Sequence, residues 1–77
     1  MKNFLDIVEE IKSIISAELG SKKIFDKDVA DVLGVSQMNF ATMKKRNKVP
    51  FGELMDFCAA RKISINWMLY GQSPESL

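Results

Sequence analysis

Seventy-seven residues make one domain at most, with a single core contributing on the order of 3–5 kcal/mol. Apolar residues are 47% of the chain, enough for that core, and five methionines supply adaptable filler. With no histidine, one cysteine and a net charge of only +1, the chain excludes Cys/His zinc sites, internal disulfides and His-based nucleophile pairs, and it is not uniformly basic.

The first helix is predicted over Met1 to Leu19. Phe4, Ile7, Val8, Ile11, Ile14 (or Ile15) and Leu19 recur at three- and four-residue steps, which makes one apolar stripe. Asp6, Glu9, Glu10, Lys12 and Glu18 fall mostly on other faces, Asn3 is placed to cap the start, and Gly20-Ser21 ends it. Asp6, Glu9 and Glu10 also interrupt any signal-peptide core, and no apolar run approaches the roughly 20 residues of a membrane span. A reducing, cytoplasmic setting is expected. Ser21 to Phe25 reads as a connector whose Ile24 and Phe25 are expected to anchor in the core.

The second helix is predicted to follow Asp26 as N-cap, with Asp28 in its first turn and Val29, Ala30 and Leu33 inward. Gly34 stands at the turn, where glycine takes a left-handed backbone at little steric cost. Val35 fills the corner and Ser36 caps a third helix over Gln37 to Arg46, with Phe40 and Met43 inward. Ala30, Gly34 and Phe40, with Val35-Ser36 between them, form a helix-turn-helix pattern, in which the second helix enters a DNA major groove. Asn47 is suited to a left-handed C-terminal position, and Pro50 to the first turn of a fourth helix over Phe51 to Arg61. On that helix Leu54, Phe57, Cys58 and Arg61 follow the helical step, and Cys58 is expected as a buried small apolar residue. A fifth helix is predicted within Ile63 to Tyr70, capped by Ser64, with an Ile63–Met68 staple and Gly71 as its stop. Residues 1–71 make the domain, and the polar Gln72 to Leu77 reads as a tail or the start of a linker.

Charge divides unevenly along this frame. Residues 1–35 hold five lysines and seven acids, −2; residues 36–50 hold Lys44, Lys45, Arg46 and Lys48 with no acid, +4; residues 51–77 hold two bases and three acids, −1. The positive excess therefore lies on the third helix and its exit, a footprint for phosphate.

The segments VADVLGVS, MKKRNKVPF and ISINWMLYG, within Lys27 to Gly71, resemble the DNA-binding domain of phage CI-type repressors. Members of that family often carry a tryptophan before the KKR, a glycine after it and a terminal DWLLxG motif. Met43, Asn47 and Asn66-Trp67-Met68-Leu69-Tyr70-Gly71 stand at those places here. The resemblance implies an all-α, compact five-helix bundle of the lambda-repressor-like kind. It further implies a repressor occupying an operator, usually as a homodimer on a palindromic site and commonly through a separate C-terminal domain. The chain is then either the N-terminal domain of such a protein or a small stand-alone regulator.

Base edges are expected to meet Gln37, Met38 and Thr42, with Asn39 and Ala41 flanking. Glutamine can pair with adenine in bidentate fashion, Met38 can touch a thymine methyl, and Thr42 can do either job. Phosphates are expected to meet Lys44, Lys45, Arg46, Lys48 and Lys27, and Ser36 beside its capping role. No cofactor, metal or small-molecule substrate is implied. The competing reading is a helix-turn-helix protein-interaction module or antitoxin-like subunit, favoured by the low net charge and the apolar Trp67/Tyr70 end. An enzyme is disfavoured because no glycine-rich phosphate loop or catalytic pair is present.

Overall fold

The computed structural model describes residues 1–77 and contains five helices and no strand: α1 Phe4–Glu18, α2 Asp26–Leu33, α3 Gln37–Arg46, α4 Phe51–Ala60 and α5 Ile65–Tyr70. The all-α, five-helix expectation is met. α1 buries Phe4, Ile7, Val8, Ile11 and Ile15, so the stripe continues through Ile15, with Ile14 partly buried against the core. The Asn3 side chain accepts from the Asp6 backbone N–H at 2.9 Å and caps the helix as expected. Leu19, taken into the stripe by its spacing, lies past the last turn and is exposed.

α2 begins differently from the expectation. Phe25, not Asp26, is the N-cap residue, because Asp28 reaches back and accepts from the Phe25 N–H at 2.8 Å. Asp26 thereby becomes the first helical residue with its carboxylate free for other partners. Phe25 is 50% exposed rather than anchored in the core; only Ile24 packs against it. The end of α2 is as read: Gly34 is left-handed at φ 74°, and the N–H groups of Gly34 and Val35 bond to the carbonyls of Asp31 and Ala30. That pair of bonds satisfies carbonyls the helix leaves open and turns the chain toward α3.

The same closure recurs at Asn47, φ 52°, where Asn47 and Lys48 N–H groups bond to Lys44 and Met43 carbonyls. Pro50 sits one residue ahead of the first turn of α4, as its N-cap. α4 ends at Ala60, one residue earlier than read, and Lys62 takes the left-handed position (φ 55°). Ser64 caps α5 by accepting from the Trp67 N–H at 3.3 Å, and Ile63 and Met68 are both buried beside it.

Sixteen apolar residues from all five helices and their connectors form one core, including Val29, Ala30, Leu33, Phe40, Leu54, Phe57, Cys58, Met68 and Leu69. Phe4 meets Phe40 edge to face, with ring centroids 5.7 Å apart, and this fixes α3 against α1. No side-chain polar atom is buried without a partner. Cys58 is buried as expected, and burial pushes its thiol above the ordinary value despite the opposing charge of Arg61. The last residues lie back against the turn before α5. Ser64 N–H donates to the Glu75 carbonyl at 2.7 Å and Leu77 N–H to the Lys62 carbonyl at 2.9 Å, around a single bridge between Ile63 and Ser76.

Candidate nucleic-acid interface

α3 buries one residue, Phe40, and rests Met43 on the core, as does Val35 in the turn before it; the remaining surface of the helix is open. With 3.6 residues per turn, Met38, Ala41, Thr42 and Lys45 form one stripe on the side away from Phe40 and Met43. All four are exposed, and Met38 is 80% exposed, which no packing requirement explains. Gln37 and Asn39 flank the stripe and are also exposed. The structure thus brings together the five residues singled out for base reading.

Two of the polar groups are already committed. The Thr42 hydroxyl donates to the Met38 carbonyl at 3.1 Å, which leaves its oxygen lone pairs and methyl group turned to solvent. Ser36 Oγ accepts from the Asn39 N–H at 3.1 Å, holding the first turn of α3, while its hydroxyl proton stays available.

The cations separate into two groups. Lys45, Arg46, Lys48 and Lys27 are exposed, and none of them forms an ion pair. Lys44 is different: its Nζ lies 2.6 Å from Asp26 Oδ2, and the side chain is only 27% exposed. Lys12 of α1 holds the other oxygen, Oδ1, at 2.8 Å. Contact with Lys12 first, and with Lys44 second, holds the Asp26 carboxyl below the usual aspartate value, and the same bond raises Lys12. Beside this carboxylate a groove of about 210 Å³ runs between α2 and α3, lined by Asp26, Lys27, Gln37, Phe40 and Ala41.

Lys12 and Asp26 were not legible as parts of this region. Asp26 read as a cap, and no local spacing joins residues of α1, α2 and α3; only helix packing does. Asn47 was legible for its backbone but not for its side chain, whose Oδ1 accepts from the Phe4 N–H at 2.7 Å. That bond ties the exit of α3 to the first turn of α1.

No helix is long and apolar enough to cross a membrane. No curated protein and no solved structure matches the chain significantly. Residues 10–75 match the family model described as the bacteriophage CI repressor helix-turn-helix domain, and that span reaches from within α1 past the end of α5. With its two-helix motif, open third helix and match over most of its length, the chain belongs to the bacteriophage CI repressor helix-turn-helix family of DNA-binding regulatory domains.

Proposed function

We propose that this domain binds double-stranded DNA sequence-specifically and represses transcription by occupying an operator, with α3 in the major groove. The observation that carries the reading is the stripe of Met38, Ala41, Thr42 and Lys45, exposed along a helix that has no acid within residues 36–50. Gln37 pairs with an adenine edge, Met38 packs on a thymine methyl, and Asn39 and Ala41 flank them. Thr42 offers its methyl group or accepts from a base amino group, since its proton is spent on the Met38 carbonyl. Lys45, Arg46, Lys48 and Lys27 meet phosphates, and Ser36 donates its hydroxyl proton to another; these contacts give affinity and register rather than sequence. The functional unit is a homodimer whose two α3 helices occupy successive major grooves.

Selection from random duplex DNA is the test. A palindromic consensus is expected, with half-sites about one helical turn apart. On the selected site Gln37→Ala is expected to cost about 1–3 kcal/mol and to relax preference at one base. Lys45→Ala is expected to weaken all sequences alike and to flatten the salt dependence. Failure to recover any duplex at low salt would exclude the reading and favour a protein-interaction module.

A further inference from the structure

We infer that Asp26 is a built-in counter-ion that withholds Lys44 from the DNA backbone and so limits the sequence-independent part of the affinity. The inference rests on the DNA reading above and concerns how strongly that surface attracts phosphate.

Three observations carry it. Lys44 lies in the last turn of α3, inside the segment of highest positive charge, yet its ammonium is 2.6 Å from Asp26 and its side chain is only 27% exposed. Its neighbours Lys45 and Arg46 stand free in solvent. The carboxylate is itself pinned, because Lys12 holds its second oxygen at 2.8 Å from a different helix. Asp26 cannot swing away from Lys44 toward solvent without leaving Lys12 as well. Finally, Asp26 lines the same groove as Gln37 and Lys27, two residues assigned to DNA in the reading above. Its charge offsets that of Lys44 on this face, leaving the Lys12–Asp26–Lys44 cluster with one positive charge in place of two. Residues 36–50 carry +4 in sequence, and with Lys44 spoken for they display +3 to a DNA backbone.

Asp26 therefore acts through Lys44 as a positioning residue and touches no base. Its removal frees one phosphate contact on every duplex, whatever the sequence. A purely structural role would instead tilt α3 and weaken the selected operator without adding a phosphate contact.

The experiment measures binding of the full chain to its selected operator and to a random duplex between about 50 and 200 mM salt. Asp26→Asn keeps the side-chain shape. It is expected to tighten both duplexes up to about fivefold at the low-salt end and to steepen the log–log salt slope by up to about 0.9. In that background Lys44→Met is expected to return the slope to the wild-type value. The Lys44→Met change in the otherwise wild-type chain needs no stable Asp26 variant, and it is expected to flatten the slope far less than Lys45→Met does. Equal flattening by Lys44→Met and Lys45→Met overturns the inference. So does an Asp26→Asn protein that stays folded but leaves random-duplex affinity and slope unchanged. Absence of binding by the wild-type chain to any duplex is a separate result that removes the DNA reading itself, and this inference with it.

Discussion

At Asn47 one residue type meets two demands. Its backbone is left-handed at φ 52°, which asparagine tolerates better than most side chains, and its Oδ1 accepts from the Phe4 N–H at 2.7 Å. That N–H belongs to the first turn of α1, where no intrahelical acceptor exists. The two contributions separate by substitution. Asn47→Gly keeps the backbone and loses the bond, for an expected cost of about 1 kcal/mol. Asn47→Ala loses the bond and adds left-handed strain, for about 2–3 kcal/mol in all. Urea denaturation measures both, and equal costs would show that the backbone contributes nothing. The left-handed position was readable from the residue type in its place after a helix. The bond to Phe4 was not, because it joins residues 43 apart. Lys62 makes the converse point. It occupies the same backbone state, with Ile63 N–H bonded to the Cys58 carbonyl, but lysine sends no signal of it. The end of α4 was accordingly misread by one residue.

Between elements, the ends of helices decide more than their middles. The apolar spacing of α1 to α5 was sufficient to place all five, since burial follows the three- and four-residue rhythm. What spacing could not give was the start of α2. Two aspartates stand there, and the later one caps, by bonding the Phe25 N–H. The earlier one is left to join α1 and α3 through Lys12 and Lys44. This junction has a pH dependence with a definite sign. The folded-state value of Asp26 is depressed, so the unfolded chain takes up its proton more readily than the folded one. Its contribution is fully present above the ordinary aspartate value of 3.8 and is lost as the pH falls through the lower folded value. Because all three side chains are partly in water, screening keeps each pair within about 1 kcal/mol. The stability gap between wild type and Asp26→Asn is therefore expected to be small and constant near neutral pH and to close on acidification. A gap that persists unchanged in urea titrations at about pH 2–3 would show that the carboxylate charge is not what joins the helices.

Across the whole molecule, the helix-turn-helix and the terminal ISINWMLYG segment carried the family in the sequence, and the family match runs to residue 75, beyond the expected boundary at 71. The reason lies in the closing segment. Its composition is polar, which by itself suggests a tail or the start of a linker. Yet its backbone, rather than its side chains, does the binding: Glu75 O and Leu77 N–H pair with Ser64 and Lys62. Backbone pairing of this sort leaves no mark on residue type. Leu77 also lines a small apolar groove with Met55, Cys58, Ala59, Ile63 and Ile65, although the leucine itself is largely in solvent. Removal of residues 72–77 is then expected to lose two hydrogen bonds, at about 1–3 kcal/mol together, seen as a lower urea midpoint. It is also expected to open the Ile63 side of the core over Cys58, whose thiol is buried and pushed above its ordinary value by that burial. Alkylation of Cys58 in the shortened chain should be faster under native conditions and equal to the full chain in denaturant. If the shortened chain unfolds at the same midpoint and reacts no faster, these residues are an appendage to the domain. Stability and thiol access moving together make them its closing element.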